Sequence, residues 1–109
     1  MKVLLISFPI YHPAYTLFII RLIQKVVEAA HTFNKWVGIC GELASDPLAV
    51  PLLIGLGVDE LSVQPHSLLR VKKIISEINS LDSQKLSKKV LESDNPELIR
   101  QILLDFQQK

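Results

Sequence analysis

A thiol, a glycine and a carboxylate follow one another at Cys40, Gly41 and Glu42. They lie between an apolar run typical of a buried strand and a helix-start signal, within a segment that we call the cysteine loop (residues 38–47). Parallel α/β folds place ligands where a strand's carboxyl end meets the next helix. A helix N-terminus offers N–H groups there, and glycine permits close backbone approach. The cysteine loop is therefore a candidate binding or catalytic segment.

Two interpretations of Cys40 compete. If strand geometry continues through the loop, Cys40 and Glu42 share a face, and a carboxylate beside a thiol suits a proton donor better than a thiolate nucleophile. Against this, an unpaired cysteine commonly packs as a small hydrophobic side chain. From the residues alone the second, structural interpretation is the stronger one.

The elements around the loop alternate between strand and helix patterns. Three apolar, β-branched runs predict buried strands at Val3 to Phe8, Trp36 to Cys40 and Val58 to Val63. Two apolar stripes predict amphipathic helices. The first helix follows Pro13, and its stripe consists of Leu17, Ile20, Ile23, Val27 and Ala30. The second would be capped by Ser67, and its stripe consists of Leu68, Val71, Ile75 and Ile78. This alternation predicts an α/β fold with a parallel sheet.

A shorter helix is expected between the second and third strands. Asp46 would cap it and Pro47 would begin it, while Pro51 would bend it. Gly55 and Gly57 would supply left-handed conformations at its end.

The tail is more polar than the segments before it. One helix is expected to open at Asp82 or Ser83 and run through Leu91, and another to be capped by Asn95 and run through Phe106.

Composition narrows the function classes. The chain has 109 residues, a formal net charge of +1 and one cysteine, which argues against nucleic-acid or anionic-membrane binding and against a disulfide framework, and favours a reducing cytoplasm. Residues Val3 to Ile20 contain no Asp, Glu, Lys or Arg, but Pro9 and Pro13 interrupt the run, so we expect no membrane span.

The amino-acid sequence resembles the C-terminal part of phosphoenolpyruvate-utilising enzymes, and most of all that of enzyme I of the bacterial sugar phosphotransferase system. Pyruvate phosphate dikinase and phosphoenolpyruvate synthase share the cysteine loop. The similar segments are Tyr11 to Ala14, Arg21 to His31, Lys35 to Ala49, Pro51 to Val63 and Ser67 to Lys72. The resemblance implies a partial (β/α)8 TIM barrel: residues 1–12 a divergent strand segment, 13–78 βα units with the cysteine loop, and 79–109 C-terminal helices.

The resemblance also implies roles for the loop residues. Cys40 matches the cysteine that protonates the enolate carbon in the family, so it would act as general acid. Gly41 and Glu42 match the same loop and would have supporting substrate-binding roles.

Other features depart from the family. Ser45 stands where glycine is usual, Leu69 stands where proline is usual, and Tyr15 to Phe18 form a small insertion. The family's phosphate-binding arginines and Mg²⁺ ligands lie on strands outside this segment, so no cofactor is expected in this fragment, although Mg²⁺ serves the full-length enzymes. His12, His31 and His66 are interpreted as a turn residue, a helix-end residue and a surface residue.

Three functional hypotheses follow. The first is a truncated enzyme I fragment without independent phosphotransferase activity, which would bind phosphoenolpyruvate only if the site were completed. The second is an interaction module whose exposed barrel edges form a homo-oligomer or dock a complementary barrel fragment. The third is a small enzyme that uses Cys40 and Glu42 on another substrate.

Overall fold

The computed structural model describes the backbone of residues 2–6 and 13–108, and the side chains of residues 17–108 apart from Glu42. Its centre is a three-stranded parallel sheet in the order β1-β2-β3. The strands are β1 (Lys2–Ile6), β2 (Trp36–Cys40) and β3 (Glu60–Ser62). The prediction that the second and third apolar runs form adjacent parallel strands is confirmed, and the α/β class with it.

Six α-helices and one 3₁₀ turn surround this sheet in the described part of the chain. They are α1 (Pro13–Thr32), α2 (Glu42–Ser45), α3 (Val50–Gly55), the 3₁₀ turn Pro65–Ser67, α4 (Leu68–Glu77), α5 (Ser80–Glu92) and α6 (Pro96–Gln107). Helix α1 connects β1 to β2, and α2 with α3 connects β2 to β3. Each parallel pair is thus joined by a helical crossover, as parallel pairing requires.

The long helix α1 buries the stripe that the sequence predicted. Ile20, Ile23, Val27 and Ala30 are all buried, at three- and four-residue spacing. They join the inner strand residues Val37 and Ile39 and side chains from α3, α5 and α6 in one apolar core. Burial of this stripe, rather than helix propensity alone, stabilises α1 against the sheet.

The connection between β2 and β3 differs from the prediction. No helix starts at Pro47: the Asp46 carboxylate accepts the Leu48 N–H at 2.9 Å, and residues 47–49 form a turn. Pro51 lies in the first turn of α3, where a missing N–H costs no helical hydrogen bond, so it does not bend a helix. The one-turn helix α2 was not predicted.

The two glycines after α3 have different roles. Gly57 has φ 94°, which confirms its left-handed conformation. The prediction was wrong for Gly55, which is the last residue of α3. A Cβ atom on Gly55 would lie 2.0 Å from the Ser83 carbonyl oxygen of α5. Glycine is needed there because the two helix backbones touch.

Helix α4 occurs where expected, but its stripe is not buried. Val71 is 1% exposed, whereas Leu68 and Ile75 are 42% and 45% exposed. Ser67 precedes the helix without making a side-chain cap hydrogen bond. The amphipathic pattern therefore predicted the helix correctly, but Leu68 and Ile75 of its stripe stay exposed because α4 contacts few other described elements.

The C-terminal helices pack against the rest of the fold. Asn79 caps α5, accepting the Leu81 N–H at 2.8 Å, so the helix begins before the predicted Asp82 or Ser83. Asn95 caps α6 as predicted, accepting the Glu97 N–H at 3.0 Å. Helix α5 lies against α3, and α6 lies against α1.

None of the helices in the described ranges is both long and apolar enough to cross a membrane.

Candidate functional site

Cys40 is the last residue of β2 and lies at the carboxyl edge of the sheet. In the parallel register it is flanked by Ile6 of β1 and Ser62 of β3. Its side chain is half-buried. The structure thus places the predicted candidate at the strand end where parallel α/β folds bind ligands.

Gly41 turns the chain sharply out of β2. Its φ of 89° and ψ of −155° belong to a region that essentially only glycine adopts. Because β2 ends at Cys40 and α2 begins at Glu42, the strand alternation expected to place Cys40 and Glu42 on one face does not continue. The Glu42 side chain lies outside the described residues.

The helix that follows Gly41 is only four residues long. A helix of one turn has too few aligned peptides for an appreciable dipole, so the anion-binding helix N-terminus expected from the sequence is not present at this point. The segment instead holds its shape through burial, since Leu43 and Ala44 are 8% and 0% exposed.

A hydrogen bond connects the cysteine loop to the segment after β3. The Ser45 hydroxyl oxygen accepts the Gln64 N–H at 3.1 Å. Ser45 ends α2, and Gln64 precedes the 3₁₀ turn that leads into α4. The segments that leave the carboxyl ends of β2 and β3 are therefore joined.

At the opposite end of the strands, a histidine and an aspartate form a hydrogen-bonded arrangement. His31 Nε2 lies 2.8 Å from Asp59 Oδ2, and the Val37 N–H donates to the same oxygen at 2.8 Å. Both hydrogen bonds lower the pKa of the Asp59 carboxyl from its ordinary value of 3.8, and the bond with His31 has the larger effect. This arrangement lies at the amino ends of β2 and β3, where parallel folds keep stabilising rather than catalytic residues.

The other histidine in the described part of the chain and two neighbouring lysines are surface residues. His66 is exposed in the 3₁₀ turn, Lys72 and Lys73 are exposed on α4, and His12 lies outside the described residues. His31 lies in the last turn of α1 as expected, but its contact with Asp59 was not foreseen. Among the side chains that the structure describes, those of residues 17–108 without Glu42, no three His, Cys, Asp or Glu groups come close enough together to hold a metal ion.

Sequence reasoning missed Asp59 and the bond made by Ser45. Asp59 stands 28 residues from His31, and no local pattern links a helix end to a strand start at that distance. Ser45 gave a signal only as a departure from the expected glycine.

Comparison with known proteins points in one direction. The sequence model of the family described as PEP-utilising enzyme, PEP-binding domain, matches residues 7–80. The chain is 36% identical over 96 residues to a phosphoenolpyruvate-protein phosphotransferase of Staphylococcus carnosus, covering 88% of this chain and 16% of that protein. The protein of the same name from Bacillus subtilis is 42% identical over 87 residues, covering 80% and 15%.

A third relative carries the same name. The phosphoenolpyruvate-protein phosphotransferase of Buchnera aphidicola is 49% identical over 73 residues, which is 67% of this chain and 13% of that protein. The chain thus spans only 13% to 16% of the length of these relatives.

Proposed function

The chain belongs to the PEP-utilising enzyme family through its PEP-binding domain, and we propose that it supplies the C-terminal part of that domain in a phosphoenolpyruvate-protein phosphotransferase. The observation that carries the proposal is the position of Cys40, at a strand's carboxyl end inside the matched residues 7–80. A reducing cytoplasm is its proposed compartment.

The sheet supports the finer proposal of a (β/α)8 barrel fragment. Successive strands of such a barrel are neighbours, whereas an open doubly wound sheet reverses its order at a switch point. The three strands here are parallel and keep their chain order. Three strands cannot close a barrel, so the site would be completed by strands from outside residues 1–109.

In the completed site Cys40 would act as general acid. Transfer of the phosphoryl group away from phosphoenolpyruvate leaves an enolate, and the Cys40 thiol would give its proton to the methylene carbon to form pyruvate. Half-burial at the strand end suits this role, because it leaves the residue partly accessible and partly shielded from water. Gly41 would allow the backbone to approach the substrate, and Glu42 would support the loop.

We propose that the chain does not transfer phosphate by itself. Phosphoryl transfer depends mostly on positioning and on cationic stabilisation of spreading negative charge. The described side chains do not fit the Mg²⁺ that serves the family, since they form no metal-binding cluster. The cationic groups and the Mg²⁺ ligands would come from the other strands of the barrel.

The test uses a chimaera. The segment of the Bacillus subtilis protein that aligns with this chain is replaced by this chain, and pyruvate release from phosphoenolpyruvate is measured with and without Cys40→Ala. We expect turnover in the chimaera and a loss of about 10²–10⁴-fold in the Cys40→Ala variant. Ser76→Ala, on the exposed face of α4, is the matched control.

Two results would contradict the proposal. A folded chimaera whose turnover is unaffected by Cys40→Ala would remove the general-acid role. Saturable phosphoenolpyruvate binding with Cys40-dependent turnover by the 109-residue chain alone would remove the claim that the site must be completed.

The second candidate is an interaction module that associates with itself or with a complementary barrel fragment. Among the described strands, β1 and β3 each pair on one side only, and an open edge offers backbone groups to another chain. Helix α4, which follows β3 along the chain, exposes Leu68, Leu69 and Ile75 by 42%, 82% and 45%. Chemical crosslinking of the chain, alone and mixed with the preceding part of a relative's domain, distinguishes the two partners.

A further inference from the structure

We propose that Ser45 is a positioning residue that holds the cysteine loop against the start of the segment leading to α4. Its hydroxyl oxygen accepts the Gln64 N–H at 3.1 Å, across 19 residues of sequence. The bond connects the end of α2 with the residue that precedes the 3₁₀ turn Pro65–Ser67. Through it, Ser45 controls how far the loop that follows Cys40 opens.

The segment that carries Ser45 is held in place by burial and by local hydrogen bonds. Leu43 and Ala44, the residues before Ser45, are buried in the core. The Asp46 N–H donates to the Leu43 carbonyl at 3.3 Å, and the Asp46 carboxylate accepts the Leu48 N–H at 2.9 Å. Ser45 is thus the half-buried outer residue of a segment whose inner residues are fixed.

The Gln64 side is held by the turn that it begins. Gln64 has extended backbone angles, φ −63° and ψ 143°, as the residue before the 3₁₀ turn. Its carbonyl accepts the Ser67 N–H at 2.9 Å. Ser45 provides the acceptor for its N–H, so both backbone groups of Gln64 have protein partners. An anchored donor and an anchored acceptor form a hydrogen bond with little loss of conformational freedom.

Cys40 lies close to this bond along the chain. It is followed by Gly41, whose left-handed φ of 89° begins the turn into α2, and its register neighbour Ser62 stands two residues before Gln64. When the Ser45 bond opens, the outer part of the loop after Cys40 and the segment after Ser62 lose a hydrogen bond that joins them. The exposure of the thiol should therefore follow the state of this bond.

The test measures the bond and its consequence separately. Exchange of the Gln64 amide proton is followed by NMR, and modification of Cys40 by an aromatic disulfide reagent is followed by absorbance. Cys40 is the chain's single cysteine, so the second signal has one source. In Ser45→Ala we expect both rates to rise about two- to tenfold, the range that loss of one hydrogen bond gives.

Two further variants separate positioning from general destabilisation. Ser45→Thr keeps the hydroxyl and should restore both rates. Ser76→Ala removes a hydroxyl that bonds within α4, to the Lys73 carbonyl at 2.7 Å, and should leave both rates unchanged. Urea unfolding of each variant shows whether a rate change exceeds the change in global stability.

Three outcomes would overturn the inference. They are a Gln64 amide that exchanges at the rate of an unprotected amide in the unmodified chain, unchanged rates in Ser45→Ala, and equally raised rates in Ser45→Thr and Ser45→Ala. The first needs no variant, so the test holds even if Ser45→Ala fails to fold. The inference rests on the proposed function only for the chemical role of Cys40. Neither measurement uses phosphoenolpyruvate, so failure of the proposed function would leave these results intact.

Discussion

Ser83 and Ser87 lie one turn apart on α5, but their hydroxyl groups are placed very differently. The Ser87 hydroxyl donates to carbonyls, with the Gly55 oxygen at 3.2 Å and the Gln84 oxygen at 2.9 Å. The Ser83 side chain is 0% exposed, and its hydroxyl has no partner among the described residues. A buried hydroxyl without a partner carries its desolvation cost uncompensated.

We expect substitution by alanine to have opposite effects on the free energy of unfolding at Ser83 and at Ser87. Ser83→Ala removes an unsatisfied polar atom and should raise the free energy of unfolding, by up to about 1–2 kcal/mol. Ser87→Ala removes a hydrogen bond between α5 and α3 and should lower the free energy of unfolding by about 0.5–1.5 kcal/mol. Urea titrations of the two variants measure the difference, and a clear loss of stability in Ser83→Ala would show that its hydroxyl has a partner.

Asp59 predicts how stability changes in acid. Because its pKa is lowered in the folded chain, its stabilising effect is fully present above the ordinary value of 3.8 and is lost as the pH falls through the lower folded-state pKa. Asp59→Asn should therefore be less stable than the unmodified chain at pH 6, and the gap should narrow below pH 3.8.

The free energy of unfolding, measured by chemical unfolding at several pH values between about 6 and about 2.5, checks this prediction. This range spans the titration of a carboxyl group. Asp94→Asn, at an exposed position between α5 and α6, is the matched control for loss of one negative charge. A gap between Asp59→Asn and the unmodified chain that stays constant down to the lowest pH would contradict the assigned contact with His31.

At the scale of elements, the contact between α3 and α5 decides where the C-terminal helices lie. Gly55 makes it possible, since a Cβ atom there would lie 2.0 Å from the Ser83 carbonyl oxygen and 2.6 Å from its carbonyl carbon. These are backbone atoms, which cannot rotate away as a flexible side chain would. The two helices must separate to admit even a methyl group.

Gly55→Ala should therefore destabilise the fold by about 1–3 kcal/mol, as overpacking does, although alanine favours helix more than glycine does. Thermal unfolding followed by circular dichroism measures the effect. Gln84→Ala, at an exposed position on α5, should change the stability by less than about 0.5 kcal/mol. A stabilised Gly55→Ala variant would mean that helix propensity outweighs the backbone contact.

At the scale of the whole molecule, the surface around α1 predicts self-association. Phe18 and Leu22 stand one turn apart and are 66% and 45% exposed, while Ile20 and Ile23 of the same segment are buried. The mostly apolar segment from Leu17 to Ile23, which includes Arg21, is thus divided between the core and the surface. Neighbouring exposed apolar side chains of this kind are typical of interaction sites.

We expect sedimentation velocity over a concentration series to show association that weakens in the double variant Phe18→Ser, Leu22→Ser. The variant Leu81→Ser, at a residue on α5 that is 56% exposed, is the matched control for loss of exposed apolar area. A strictly monomeric species at the highest concentration would exclude this surface as an interface between copies.

Local patterns were sufficient for much of the fold. The burial stripe of α1, the strand at Trp36–Cys40, the Asn95 cap and the left-handed Gly57 were all predicted correctly from neighbours within a few residues. Helix period, strand composition and cap chemistry are local properties, so a sequence carries them directly. The position of Cys40 at a strand end followed from the same patterns.

Only the tertiary structure decided which local possibilities were used. The stripe of α4 predicted its helix but not its exposure, and Gly55 was needed for contact with α5 rather than for a turn. The bonds from His31 to Asp59 and from Gln64 to Ser45 join residues 28 and 19 positions apart. Such pairs form because the parallel sheet brings its strand ends together, and neither partner's sequence surroundings specify the other.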